Sequence, residues 1–163
     1  MQWWLEQAPL WELFSSMMTV FGLPFALAVF IFEQRRERES VAEAGYQMLS
    51  DAYTDFLKLV MANPDLKLRS RDSVALTEDQ EQRRLALYEI LISLLERAYL
   101  LAYKKNMKDR QLRRWHSWED YMCEWSHRED FRKALPTLLK GEDENFAEYY
   151  RKLIFDNGYH IDR

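Results

Sequence analysis

The chain has a single cysteine, Cys123, and only four glycines and four prolines in 163 residues. One cysteine excludes an intrachain disulfide and a cysteine-built zinc site, as suits a domain facing a reducing cytosol. No Gly-rich phosphate loop, GxSxG, HExxH or CxxC occurs. Hydrolase and nucleotide-triphosphatase readings lose their usual support, and neither a cofactor nor a metal site is expected. Scarce Gly and Pro beside abundant Glu, Leu, Arg, Lys and Ala favour helix over sheet, so the expected fold class is all-α. Cationic side chains are missing altogether before Arg35, where Glu6, Glu12 and Glu33 are the only charges.

That gap encloses the most informative stretch of the chain. Leu13–Phe32, LFSSMMTVFGLPFALAVFIF, is twenty residues without a charged side chain. As a helix rising about 1.5 Å per residue it is about 30 Å long, the thickness of a bilayer's hydrocarbon core. A single charge at the centre of such a helix costs roughly 2.5–3.5 kcal/mol, which argues against an accidental run. Arg35, Arg36 and Arg38 follow directly, so positive-inside logic puts the N-terminus outside and residues 33 onward in the cytoplasm. Trp3, Trp4 and Trp11 suit an outer interfacial anchor. A cleaved signal peptide is the rival reading, with Ala26-Leu27-Ala28 as a small-x-small cleavage site. The acidic leading segment and the apolar continuation through Val29-Phe30-Ile31-Phe32 favour an uncleaved anchor. The expected organisation is therefore residues 1–32 as extracytoplasmic N-terminus and transmembrane helix, and 33–163 as a cytoplasmic helical domain.

Beyond residue 32 the chain holds 23 bases and 25 acids, and near-neutrality gives no global drive toward nucleic acid. The span should run on into a helix ending near Ala62, because nothing interrupts it before Asn63-Pro64. Val41, Ala44, Gly45, Met48, Ala52, Phe56, Leu59 and Val60 predict its inner stripe. Residues 65–76 read as a loop. Thr77-Glu78-Asp79-Gln80 is a capping box that opens a helix to about Lys105. Its centre, Leu85–Leu95, is apolar nearly all round and predicts a buried central helix; Glu89 and Glu96-Arg97 make it too short and charged for a second span. Further helices are predicted from Asp109, over Arg128 to Leu139, and over Glu144 to Asn157 with Gly158 as C-cap. A five-helix bundle should result.

Three constellations could carry function. Lys104, Lys105, Lys108, Arg110, Arg113 and Arg114 fall within eleven residues that hold one acid, Asp109. This local +5 patch could meet RNA, a nucleotide signal or acidic lipid headgroups, or could be a solvated corner between helices. Trp115, Trp118, Met122 and Trp125 recur at steps of three, four and three; such indoles beside cations could stack on bases, but the spacing is that of a core face. In the apolar run, Ser15, Thr19 and Gly22 share a face, and Gly22 with Ala26 makes a small-xxx-small step that favours self-association; alternatively these residues merely tolerate lipid.

Arg110-Gln111-Leu112-Arg113-Arg114-Trp115-His116 also fits the spacing of Arg and His in HEPN ribonucleases, in which the His acts as general acid or base and the Arg holds phosphate. With Trp118-Glu119-Asp120-Tyr121, Trp125, Asp130-Phe131-Arg132 and Phe146-Ala147-Glu148-Tyr149-Tyr150, the chain resembles a group of small single-pass bacterial membrane proteins with a cytoplasmic HEPN-like domain. The membrane pore accessory proteins of type VI-B CRISPR systems belong to that group. The resemblance implies an oligomeric pore supporting antiphage defence, membrane lipid and a second copy of the chain as partners, a CRISPR effector as a third, and Arg110 and His116 as the HEPN-like pair. A membrane-tethered RNA nuclease and a non-enzymatic scaffold that recruits a cytoplasmic partner are the alternatives.

Overall fold

The computed structural model describes the backbone of residues 8–70 and 75–158, with side chains from residue 25 onward. Among the described residues the chain is all-α, as its composition predicts, with five α-helices and one short 3-10 turn. It divides into two compact units, residues 1–45 and 46–163. Helix α1 (Ala8–Ala62) begins in the first unit and ends in the second.

In the first unit the described part of the apolar run carries its side chains uncovered, with Phe25 71%, Leu27 58%, Phe30 60% and Phe32 68% exposed. Ala26 is exposed too, whereas Ser15, Thr19 and Gly22 lie outside the described side chains. Among the described residues no helix is long and apolar enough to cross a membrane. Twelve of the twenty residues of Leu13–Phe32 fall outside the described side chains.

The second unit is built around α2 (Glu78–Ala102), α3 (Asp109–Ser126), α4 (Glu129–Leu138) and α5 (Glu144–Asp156), with the end of α1. Pro64 ends α1: its ring cannot continue a helix, and it opens the 3-10 turn Pro64–Leu66 instead. The stripe that α1 buries is Leu49, Tyr53, Phe56 and Val60, at steps of four, three and four. That is a correction, since Met48 and Leu59 are 49% and 44% exposed and Val41 lies outside the core. The winning face contains a tyrosine whose ring packs inward while its hydroxyl accepts from Trp125 Nε1 at 3.3 Å.

Thr77 and Gln80 form the expected capping box: Thr77 N–H donates to Gln80 Oε1 at 2.9 Å and Gln80 N–H to Thr77 Oγ1 at 3.4 Å. Two of the orphan donors at the start of α2 are satisfied this way. Helix α2 buries Leu87, Tyr88, Leu91, Ile92, Leu94, Leu95 and Ala98. Its apolar centre is not buried all round, however: Leu85 and Ile90 are 41% and 45% exposed. Hydrophobicity alone fixes which side chains prefer cover, and the bundle supplies cover on one side of α2 only.

All four members of the α3 stripe, Trp115, Trp118, Met122 and Trp125, are core residues. Tyr88 and Phe131 meet edge-on at 4.8 Å, Tyr53 and Trp118 at 5.9 Å, and Phe56 and Trp125 at 5.5 Å. Each such pair adds about 0.5–1.5 kcal/mol beyond its buried area. Helix α5 closes the core with Phe146, Ala147, Tyr150 and Ile154. Gly158 follows its end at φ 81°, the left-handed backbone for which glycine is suited.

Candidate functional site: the basic face of α3

The connection from α2 to α3 and the first two turns of α3 carry the basic cluster. Lys104, Lys105, Lys108, Arg110 and Arg113 are exposed there. Arg114 differs: it is half-buried, and its guanidinium lies 4.4 Å from the centroid of the Tyr46 ring. A cation over an aromatic face is stabilised by the ring quadrupole, so Arg114 ties α3 to the end of α1. At the N-cap Lys108 makes no side-chain hydrogen bond to the helix. The connection and the opening turns of α3 therefore carry several exposed ammonium and guanidinium groups near the positive end of the helix dipole, with Asp109 as the one acid among them, a composition that attracts anions.

One turn further on, His116 sits against Glu119, with Nδ1 2.6 Å from Oε2. The other oxygen of Glu119 accepts from Trp115 Nε1 at 3.1 Å and from the Tyr149 hydroxyl, which arrives from α5. Trp115 Nε1 also donates to the Tyr149 oxygen at 2.7 Å. Burial, then the bond to Glu119, drives the Tyr149 hydroxyl far above its ordinary pKa, which keeps it a neutral donor. Tyr99 and Tyr103 stack at 4.8 Å beside this group, and Tyr103 lies 5.2 Å from Trp115 and 4.8 Å from Tyr149. Beside the lysines of the connection, then, stands a cluster of four aromatic rings, two of which, Trp115 and Tyr149, are bonded to one carboxylate.

Arg110 and His116 both stand on α3, six positions apart, which at 3.6 residues per turn sets them about 120° apart around the axis. One chain alone does not bring the two side chains onto one face; a phosphate gripped by both needs a second chain. Burial, followed by the fields of Asp120 and Glu119, pushes the Cys123 thiol up, which disfavours its thiolate. Among the described residues no group of three His, Cys, Asp or Glu side chains is placed to hold a metal ion.

Sequence reasoning missed the most heavily bonded group of the domain. Arg128, 5% exposed, donates from Nε to the Tyr88 hydroxyl at 3.1 Å and to Asp130 Oδ1 at 3.0 Å, and from Nη2 to Asp130 Oδ2 at 2.6 Å. Its Nη1 reaches the carbonyls of Lys67 at 2.9 Å, Leu68 at 3.4 Å and Ser70. Arg84 completes the group through Nη1 to Asp130 Oδ2 at 2.7 Å. Burial raises the Asp130 carboxyl, but the hydrogen bond from Arg128 and the charges of Arg128 and Arg84 outweigh it and hold the carboxyl below the usual range. Burial, with the field of Asp130, pushes the Tyr88 hydroxyl up to about 12. This network is structural: it pins the segment 67–70, where Lys67 takes a left-handed φ of 50°, onto the start of α4. In sequence Arg128 reads as the start of the helix expected over Arg128 to Leu139, and only the fold reveals that it is buried. Glu119 did carry a signal, standing one turn after His116; the bond from Tyr149, thirty residues away, carried none.

Comparison with protein-family models, with curated proteins and with solved structures finds no match for this chain. Nothing in those comparisons links it to HEPN-like or CRISPR accessory proteins.

Proposed function

We propose that the protein is an oligomeric, single-pass membrane effector that alters the permeability of the bacterial inner membrane, as a pore does, in antiphage defence of the CRISPR accessory type. The observation that carries this reading is the uncharged run Leu13–Phe32 ahead of Arg35, Arg36 and Arg38. Its described end leaves Phe25, Leu27, Phe30 and Phe32 uncovered, and at about 100° per residue these four point to more than one side of the helix. A helix apolar on every side is stable inside a core or a bilayer, and the described end of this segment, from Phe25 to Phe32, is exposed. On this reading the domain from residue 33 is cytoplasmic, Ser15, Thr19, Gly22 and Ala26 form the contact between spans, and lipid and further copies of the chain are the constant partners. Lys104, Lys105, Lys108, Arg110 and Arg113 then face the cytosol as the receptor for an anionic trigger such as RNA, a nucleotide signal or an acidic surface of a CRISPR effector.

The test uses the full chain in dye-loaded vesicles and in cells. A reporter that fluoresces only in the cytosol should glow when fused after Arg163 and stay dark when fused before Met1. Ser15→Leu with Thr19→Leu should stop dye release while leaving the bundle folded. A reversed reporter pattern, or release indifferent to the two substitutions, refutes the reading.

A second reading, a membrane-tethered HEPN-type ribonuclease, draws support from the His116–Glu119 contact, because a carboxylate that orients an imidazole is a common partner of a general base. It requires Arg110 from one copy and His116 from another. The third, a plain membrane scaffold, has no feature of its own to favour it.

A further inference from the structure

Three residue pairs on the face of α2 that the bundle leaves uncovered are placed symmetrically about Ser93, whereas Ile90, 45% exposed on the same face, has Glu96 as its counterpart. Glu89 and Arg97 stand four positions to either side of Ser93, Ala86 and Leu100 seven, Leu85 and Leu101 eight. At 3.6 residues per turn the inner four fall within about 40° of Ser93 around the helix axis, and the two outer leucines flank them at about 80° on opposite sides. Leu85, Leu100 and Leu101 are 41%, 58% and 54% exposed. Ala86, Glu89 and Arg97 are exposed as well, and Ser93 is half-buried. Glu89, Ser93 and Arg97 line a cleft of about 430 Å³ beside Ala52 of α1. Neither Glu89 nor Arg97 forms an ion pair among the described residues. Eight positions apart on one helix, they are about 12 Å from each other along the axis, too far to pair.

We propose that this face binds the same face of a second copy of the chain, α2 against α2 in antiparallel register, with the two-fold axis at Ser93. Antiparallel pairing about Ser93 sets position i against position 186 − i. Glu89 then meets Arg97 of the second copy and Arg97 meets its Glu89, Leu85 meets its Leu101, and Ala86 meets its Leu100. A two-fold interface is self-complementary by construction, so one surface must carry both halves of a pair at equal distances from the axis, as this one does for Glu89 with Arg97, Leu85 with Leu101 and Ala86 with Leu100. The small Ser93 at the centre lets the axes approach to the usual 8–10 Å. Charges flanking a helical seam select orientation: a parallel pair would set Glu89 against Glu89 and Arg97 against Arg97, so the same two residues that favour the antiparallel partner disfavour the parallel one. An unrelated partner would require no such symmetry. The contact does not involve residues 1–45, so it does not depend on membrane insertion.

The experiment uses the detergent-solubilised full chain with Cys123→Ser, to which Ser93→Cys is added. Mild oxidation should link two copies through position 93, because residues at a two-fold axis between close helices come within disulfide reach. Adding Glu89→Arg or Arg97→Glu alone should abolish the covalent dimer, since each reversal sets like charges opposite one another. Both reversals in one chain should restore it, and mixing the two singly reversed chains should give a heterodimer. Absence of a covalent dimer, a dimer indifferent to charge reversal, or failure of the two reversed chains to pair would overturn the proposal.

Discussion

Replacing Arg128 with methionine should destabilise the bundle by about 3 kcal/mol, the lower end of the 3–5 kcal/mol typical when one member of a buried ion pair is removed. Methionine keeps most of the volume, so the loss is polar. Asp130, only 10% exposed in its side chain, would surrender two guanidinium bonds and keep Arg84 at 2.7 Å and the Phe131 N–H at 2.9 Å. Those two survivors place the estimate at the low end. The carbonyls of Lys67 and Ser70 add little, because these residues are exposed and half-buried and water replaces the lost donor. Urea unfolding followed by helical circular dichroism is the assay; with a slope of about 1–3 kcal/mol per molar, the midpoint should fall by about 1–3 M. Lys133→Ala is the control: it breaks an ion pair to Glu129 at 2.7 Å whose partners are 63% and 61% exposed, and it should leave the midpoint within scatter. The pH dependence has a fixed sign. A depressed folded-state carboxyl contributes stability above its unfolded value, near 3.9, and loses it as pH falls through the lower folded value. Without Arg128 the depression weakens, and acid unfolding should begin at higher pH. An Arg128→Met midpoint no lower than that of Lys133→Ala would show that the guanidinium does not hold segment 67–70 as described.

Burial, then hydrogen bonding to and repulsion from Glu96, raises the Glu142 carboxyl to about 7. A raised folded value gives stability that is full below the unfolded value, about 4.3, and lost as pH climbs through 7; melting temperature should decline over that window, and Glu142→Gln should flatten the profile. Gly141 takes φ 93° with nothing within 4 Å of an added Cβ, so Gly141→Ala should cost about 1 kcal/mol from backbone strain alone; a neutral result in the same urea assay would contradict this. His116→Ala should leave dye release intact. If instead it abolishes toxicity while RNA is degraded and membrane potential persists in the unmodified protein, the ribonuclease reading takes precedence, because general acid–base catalysis contributes about 10²–10⁴-fold to a rate.

Three helix ends were legible because local chemistry marks them, whereas the end of α2, expected near Lys105, falls at Ala102. Thr77 with Gln80 starts α2, Asn63-Pro64 stops α1 and Gly158 follows α5, and none of these signals depends on tertiary packing. The tryptophan stripe of α3 was legible for a related reason: large apolar groups at one helical period have a single place to go. Long-range choices were not legible. Leu49 and Tyr53 displaced Met48 and Leu59 as the inner face of α1 because the bundle offered Tyr53 a partner in Trp125, 72 positions away. Arg128 is buried only because Asp130, Tyr88 and three carbonyls converge on it, and composition does not encode convergence. Around the basic face, the charges were visible in sequence, whereas the diversion of Arg114 to Tyr46 and the joining of Glu119 to Tyr149 required the fold.

The position of α5 in the core sets a timetable for synthesis. Until α5 has left the ribosome, Tyr99, Trp115 and Met122 of nascent α2 and α3 lack the neighbours it supplies, Phe146, Tyr149 and Tyr150. The apolar run at Leu13–Phe32 emerges more than a hundred residues earlier, at roughly 5–20 residues per second a lead of several seconds. On the proposed membrane reading, targeting of that run to a bilayer would be decided while the rest of the chain is an open, aromatic-rich polypeptide. Any shortening of the chain ahead of Phe146 leaves that state permanent, to be met by chaperones and proteases rather than by a folded domain.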